Sequence, residues 1–290
     1  MKQHVIGMFD SGVGGLTVMK EIISRLPEVR IVYLGDTARV PYGNRSREEL
    51  IRFGEEIISF LIEQGAEAIV VACNTSSANA LPVLKERFNL PLIGTIEPGA
   101  KAAVKATTQG RIGLIATEAT VRSKAYTSAV KGVLNKGVLP DKAELREGWQ
   151  QGRSAIEVVE EQACPLFVPL VEAGLSHSLE AKNIARTYLT SLQKAKVDTL
   201  ILGCTHYPFL APVIQELMGQ DVILVDPALA MAEELEKVLG ELEKWPCHNP
   251  ATVDGSHRFF VSGDPGLFTQ VGNTLLPGQI KQVQQIKWKE

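Results

Sequence analysis

Two cysteines of this chain sit in matching local sequences, Ala72-Cys73-Asn74-Thr75 and Gly203-Cys204-Thr205-His206. Each closes an apolar run, Ile69-Val70-Val71 and Leu200-Ile201-Leu202, and each is followed by hydroxyl or amide residues. Taken singly, a cysteine at the end of a buried strand is usually a small packed hydrophobe. A thiol standing where a helix begins is different, because the helix terminus favours the thiolate and makes it a usable base. Finding the arrangement twice points to chemistry rather than packing, with each thiol a usable base. His206 lies two residues from Cys204, placed to assist proton transfer or to hold the thiol in its useful protonation state; a core histidine and a metal ligand are its other readings. Asp10 is either a loop-capping residue or a carboxylate that tunes a nearby thiol. The remaining cysteines read otherwise. Cys164, in Cys164-Pro165-Leu166-Phe167, has no polar neighbour and reads as core, and Cys247 lies in a polar stretch with no evident role. Four cysteines far apart do not suggest disulfides, and no Cys-x-x-Cys or His-x-x-x-His pattern suggests a metal site.

The glycine-rich stretch Asp10-Ser11-Gly12-Val13-Gly14-Gly15 invites a dinucleotide reading, with Asp36 as the ribose-binding acid. Thr17 stands where that pattern needs its third glycine, and the Asp10-Ser11 lead-in is foreign to it. A P-loop is excluded because no Gly-Lys-Ser/Thr follows. The glycines fit better a loop whose amides approach a small carboxylate closely.

These groups need a frame that brings strand ends together. The N-terminal half alternates strand and helix: Val5–Phe9, then a helix over Leu16–Leu26, Arg30–Leu34, a helix over Glu48–Gln64, Ala68–Ala72, a helix over Ser76–Phe88, and Pro91–Gly94. Strands apolar at every position belong to parallel sheets covered on both faces. The pattern then restarts. Lys101–Thr107 reads as helix, Arg111–Ala116 as strand, and Thr120–Val133, Ala155–Gln162 and Ser178–Lys194 as helices. Val197–Gly203 is a strand, followed by a helix near Val213–Met218, a strand at Val222–Val225 and a helix at Ala228–Leu239. Glu243–Ser256 is polar and reads as loop, with an edge strand at His257–Val261. In both halves an Ile-Gly strand precedes a polar end (Asp10-Ser11; Thr117), and a later strand ends in cysteine before a proline-containing helix (Pro82; Pro212). The expected fold is therefore α/β, two similar parallel-sheet domains related by a degenerate repeat, spanning 1–97 with 208–290, and 98–207, with the site in the cleft between them.

The 290 residues are 45% hydrophobic and 22% charged, with a net charge of -3, ordinary for a globular protein and unlike a nucleic-acid or membrane surface. No apolar run reaches the roughly 20 residues that span a bilayer, and Met1–Gly15 lacks a signal-like apolar core, so a cytoplasmic location is expected.

Several segments together resemble glutamate racemases: Phe9-Asp10-Ser11-Gly12-Val13-Gly14-Gly15-Leu16, Tyr33-Leu34-Gly35-Asp36-Thr37, Pro41-Tyr42-Gly43, Ala72-Cys73-Asn74-Thr75, Pro165 to Glu172, and Leu202-Gly203-Cys204-Thr205-His206-Tyr207-Pro208. The resemblance implies a cofactor-independent, two-base racemisation with Cys73 and Cys204 as the catalytic pair, assisted by Asp10 and His206. It implies substrate contacts at Asp10, Ser11, Tyr42, Gly43, Asn74, Thr75, Thr205 and His206, and, from the Ala116-Thr117 stretch, at Thr117 and Thr120. It further implies glutamate as the small-molecule substrate, D-glutamate supply for peptidoglycan, no metal, and a possible homodimer. Aspartate racemisation within the same superfamily, a single-cysteine thiol hydrolase with His206 as base, and a non-catalytic binding module are the competing readings. Pro41-Tyr42-Gly43 and Thr205-His206 favour glutamate over aspartate.

Overall fold

A computed structural model describes residues 4–138, 156–242 and 257–288. Its ten strands, in chain order, are β1 Val5–Asp10, β2 Arg30–Gly35, β3 Ala68–Val71, β4 Leu92–Gly94, β5 Arg111–Ala116, β6 Glu157–Ala163, β7 Thr199–Gly203, β8 Ile223–Val225, β9 Arg258–Val261 and β10 Val283–Gln285. The chain divides into two compact units, Met1–Thr95 with Met231–Glu290, and Ile96–Ala230. Each holds one sheet whose strand pairs are all parallel. The first sheet has the order β10-β9-β2-β1-β3-β4 and the second β6-β5-β7-β8.

The repeat expected from sequence is present in the strand order. Without β9 and β10, the first sheet runs β2-β1-β3-β4, the same succession as β6-β5-β7-β8 in the second. The register agrees as well. Gly7 of β1 pairs with Ile69, and Gly113 of β5 pairs with Leu200; four residues beyond these partners lie Cys73 and Cys204. The two glycines meet equivalent neighbours. A Cβ on Gly7 would come 2.6 Å from Ile69 Cδ1, 2.9 Å from Ala66 Cβ and 3.0 Å from Leu61 Cβ, and one on Gly113 would come 2.6 Å from Leu192 Cδ2, 2.9 Å from Val197 Cγ1 and 3.2 Å from Leu200 Cδ1. In both units the helix before the cysteine strand presses on the central strand at a point that admits only hydrogen.

The core layers follow from period-two alternation. Phe9, Val32, Leu34, Ile69, Val71 and Cys73 share one apolar cluster with Phe53, Ile57 and Leu61 of the helix Arg47–Glu63. In the second unit Ile115, Leu200, Leu202 and Cys204 pack with Ala181, Ala185, Leu189 and Leu192 of Leu179–Lys194, while Ile112, Leu114, Ala116 and Ile201 pack on the other face against Ile96–Ala106 and Ala125–Asn135. The helix Arg47–Glu63 starts at a capping box, Ser46 with Glu49, which satisfies two otherwise unpaired amides.

Several expected boundaries shift. Ser76–Phe88 is two helices, Asn74–Asn79 and Leu81–Arg87, since Pro82 supplies no amide to continue the first ladder. Thr120–Val133 is Glu118–Ser123 and Ala125–Asn135, divided at Lys124, which is left-handed with φ 54°. Of the expected helix Ala155–Gln162, the described residues 156–162 are not helical: Glu157–Ala163 is the strand β6, which among the described residues pairs with β5 alone, at one end of its sheet. His257–Val261 is not an edge; β9 lies between β2 and β10. The boundary expected at 207/208 also moves, because β8 pairs with β7 and Val213, Ile214 and Val222 enter the same core as Leu200 and Tyr207. The polar stretch Glu243–Ser256 and Cys247 lie outside the described residues.

Gly203, the last residue of β7, tests how tightly the cysteine strand end is held. A Cβ there would stand 2.7 Å from Leu114 Cδ1, 2.9 Å from the Ile115 carbonyl oxygen and 3.0 Å from Ala116 Cβ. Gly203→Ala is expected to lower unfolding stability by about 1–3 kcal/mol through overpacking against backbone. Gly132→Ala, where a Cβ meets nothing within 4 Å inside a helix, is expected to gain about 0.5–1 kcal/mol. Urea denaturation of both variants checks the contrast; equal midpoints would show that β5 and β7 can part at no cost.

Candidate active site

In the first unit β1 delivers Asp10, fully buried, and the chain then wraps around its carboxylate. Asp10 Oδ2 accepts the amides of Gly12 at 3.2 Å and Gly15 at 3.0 Å, and the Tyr33 hydroxyl donates to the Gly12 carbonyl at 2.7 Å. The amides that a dinucleotide phosphate would need at Gly12 and Gly15 therefore serve the chain's own carboxylate. Burial first, then the nearby Asp10 and Cys73, push the Tyr33 hydroxyl well above its ordinary pKa and keep it a neutral donor. Asp10, Cys73 and Tyr33 thus form one neighbourhood.

Cys73 caps the helix Asn74–Asn79 and is almost wholly buried, as are Asn74 and Thr75 in its first turn. Ser11, half-buried, follows the end of β1 beside it. Tyr42 and Gly43 stand in a short 3₁₀ turn, Tyr42–Asn44. The Tyr42 hydroxyl is donated to Asp36 Oδ2, and burial, then Asp36, push its pKa well up. Its hydroxyl is thereby engaged inside the protein, while Gly43, the next residue of the turn, is half-buried.

Asp36 does not hold a ribose. Fully buried, it accepts from Arg39 Nε at 2.6 Å, Ser262 Oγ at 2.7 Å, Trp288 Nε1 at 2.8 Å and the Tyr42 hydroxyl. The Arg39 guanidinium lies 4.0 Å from the Phe53 ring centroid and 4.4 Å from that of Trp288.

In the second unit β7 delivers Cys204, but the chain leaves it differently. Ser77 N donates to the Cys73 carbonyl at 2.9 Å, an α-helical span; at Cys204 the donor is Tyr207 N at 3.0 Å, one residue closer. The residue four beyond Cys204 is Pro208, which has no amide, so the chain closes a 3₁₀ turn and the helix Ala211–Met218 starts later. Cys204 is therefore not at the start of an α-helix, contrary to the sequence expectation. Its Sγ lies 3.9 Å from His206 Nδ1, and His206 Nε2 lies 3.2 Å from Glu172 Oε1. Thr205 Oγ1 is 3.5 Å from the same Nδ1. Thr117 caps Glu118–Ser123, with its Oγ1 3.0 Å from Thr120 Oγ1, at the end of the strand neighbouring Cys204. Ser11 and Thr117 occupy equivalent places, so each unit sets a hydroxyl beside its cysteine.

Glu172 was not among the candidates. Its signal was only that it ends the Pro165–Glu172 segment, and nothing in the sequence tied it to His206. Asp36 with Ser262 and Trp288 is a second constellation that spacing cannot show. Among the described residues no group of three or more histidine, cysteine or acidic side chains is placed to hold a metal, and no helix is long and apolar enough to cross a membrane.

Cys164 proves to be core. It is fully buried, its thiol faces the Gln162 carbonyl at 3.7 Å, its own carbonyl accepts the Tyr207 hydroxyl at 3.0 Å, and burial, then Cys204, push its pKa far up. Alkylation of the native protein with iodoacetamide at pH 8 is expected to leave Cys164 unmodified, with labelling appearing only in urea; peptide mass spectrometry reads this directly.

The family model described as Asp/Glu/hydantoin racemase matches residues 6–235. A glutamate racemase of Geobacter metallireducens is 46% identical over 288 residues, covering 99% of this chain and 97% of that protein. Among solved structures, the glutamate racemase isoform RacE1 of Bacillus anthracis aligns with a TM-score of 0.83 at 38% identity, covering 98% of this chain and 97% of that one. The Francisella tularensis glutamate racemase, solved in complex with D-glutamate, aligns with a TM-score of 0.80 at 33% identity over 98% and 97% of the two chains.

Proposed function

This chain belongs to the Asp/Glu/hydantoin racemase family, and from that premise we propose that it interconverts L- and D-glutamate without a cofactor, using Cys73 and Cys204 as a pair of bases on opposite faces of the α-carbon. The observation that carries the reading is the equivalence of the two strand ends: one cysteine and one hydroxyl residue at the same register in each sheet, Cys73 with Ser11 and Cys204 with Thr117.

The reaction asks for symmetry. A thiolate takes the α-hydrogen as a proton, so the C–H bond breaks and an S–H bond forms. The opposite thiol then gives its proton to the other face of the planar carbanion, leaving a thiolate there. One base cannot easily reach both faces, and two exchange roles with the direction of reaction. The carbanion is stabilised by hydrogen bonds to the substrate carboxylate from neutral donors, for which Ser11, Asn74, Thr75, Thr117, Thr120 and Thr205, with the backbone at Tyr42 and Gly43, are the candidates. Such donors hold the developing charge without gripping the ground state too tightly. Asp10, whose carboxylate accepts two amides, and His206, 3.2 Å from Glu172, are the proposed assistants of Cys73 and Cys204 respectively.

The product fits D-glutamate supply for peptidoglycan. With it goes a cytoplasmic location, and the resemblance makes a homodimer the assembly to test. The test is a circular-dichroism assay of L-glutamate with purified protein and no added cofactor. Decay of ellipticity toward the racemate is expected; an unchanged signal with L-glutamate alongside turnover of L-aspartate would move the activity to aspartate.

One observation favours a second reading. Cys204, His206 and Glu172 stand in the order of a thiol hydrolase triad, at 3.9 Å and 3.2 Å. A hydrolase would need no second cysteine, so its activity would survive Cys73→Ala.

A further inference from the structure

Ser262 and Trp288 lie far along the chain from every candidate residue, yet they converge on Asp36, and Asp36 converges on the substrate turn. Both donate to Asp36 Oδ1, Ser262 Oγ at 2.7 Å and Trp288 Nε1 at 2.8 Å. The other oxygen, Oδ2, takes the Tyr42 hydroxyl and Arg39 Nε. A carboxylate has about four acceptor sites, and here all four are filled by side-chain donors. Ser262 also accepts the Ala38 amide at 2.9 Å, so the same hydroxyl ties the loop backbone and its buried acid. Arg39 is clasped from one side by the Trp288 ring, 4.4 Å from its centroid.

We propose that Trp288 is a positioning residue for the reaction: with Ser262 it fixes Asp36, which by accepting the Tyr42 hydroxyl sets the 3₁₀ turn whose Tyr42–Gly43 backbone meets the substrate carboxylate. This rests on the proposed reading of Gly43 as a substrate contact. The indole acts at two removes from substrate, through a fully buried acid, and so governs how well the ground state is held rather than the proton transfers themselves.

The test is Trp288→Phe, which keeps an aromatic ring against Arg39 while removing the N–H donor along with part of the indole's bulk, together with Ser262→Ala and Ser262→Thr. The KM for glutamate in Trp288→Phe is expected to rise about three- to ten-fold, the worth of one hydrogen bond, with kcat within about two-fold of the parent. Ser262→Ala should behave likewise and Ser262→Thr, which restores a hydroxyl donor, should recover the parent KM. Combined, Trp288→Phe and Ser262→Ala should be less than additive, since both act through Asp36 Oδ1. Hydrogen exchange supplies a readout that does not need turnover: amides of residues 36–45 should exchange faster in Trp288→Phe. Parent KM and parent exchange in Trp288→Phe would overturn the assignment, as would a loss confined to kcat. If the parent protein did not racemise glutamate, the function reading would fall on its own, and the exchange measurement would still decide whether Trp288 positions the turn.

Discussion

Cys204→Ala is expected to lower kcat for glutamate racemisation by about three to four orders of magnitude, and Cys73→Ala by a similar factor, the upper range for a positioned acid or base. The fold should survive both. The thiols pack at strand ends, at 5% and 7% exposure, where exchanging sulfur for hydrogen removes one atom from the rim of a core and leaves the β1–β3 and β5–β7 pairings untouched. The two losses should not be alike in kind. With Cys204 gone, one face of the α-carbon has no partner, so only the enantiomer whose hydrogen points to Cys73 can be deprotonated. Any residual washout of α-hydrogen into solvent is therefore confined to one enantiomer in Cys204→Ala and to the other in Cys73→Ala. Proton NMR of each enantiomer with each variant in deuterium oxide reads this crossed pattern. Near-parental racemisation in either variant would refute the pairing, and a hydrolytic activity that survived Cys73→Ala but not Cys204→Ala would favour the hydrolase reading.

A second large effect is expected in the isotope content of the product. Started with protonated L-glutamate in deuterium oxide, the reaction should give D-glutamate carrying deuterium at the α-carbon from the first turnover, while unreacted L-glutamate stays protonated. The proton taken by one thiol is not the one delivered by the other, because the delivering thiol equilibrated with solvent before substrate bound. A single base able to reach both faces would instead return part of the original hydrogen to the product. Mass spectrometry at a few per cent conversion distinguishes the two. Running the reaction from D-glutamate should give the mirror image, labelled L-glutamate and unlabelled starting material. Early product that keeps its original hydrogen would count against two thiols whatever the mutants showed.

The strands that carry the cysteines were legible because they are buried on both faces. Ile69-Val70-Val71 and Leu200-Ile201-Leu202 leave no polar position, and that pattern has few homes besides a covered parallel strand. β6 was not legible for the opposite reason. Its glutamates recur at spacings a helix would also accept, and it holds its place as an edge strand, with Glu161 bound to Lys124 at 2.6 Å and to Thr127. The helix break at Lys124 has no glycine or proline to announce it. Of the site, the strand-end residues were readable from position alone. Glu172, Ser262 and Trp288 were not, because what makes them relevant is a contact with His206 or Asp36 across 34, 226 and 252 residues of chain. The nature of the turn after Cys204 was readable in principle: Pro208 already rules out the α-helical hydrogen bond that Cys73 enjoys.

The first unit is discontinuous, and that sets an order of events during synthesis. Strands β1 to β4 are made first, yet β2 must wait for its outer neighbour β9, and Asp36 for Ser262 and Trp288, until all of Ile96–Ala230 has been translated. At elongation speeds of about 5–20 residues per second the delay is on the order of tens of seconds. The second unit, contiguous in the chain, can close its own sheet within that interval. During it the nascent β2 presents an unpaired backbone edge and a buried acid without its donors, the features that recruit holding chaperones and promote wrong pairing. Ribosome-bound chains halted before β9 should therefore be protease-sensitive at β2 while residues 96–138 and 156–230 are already resistant.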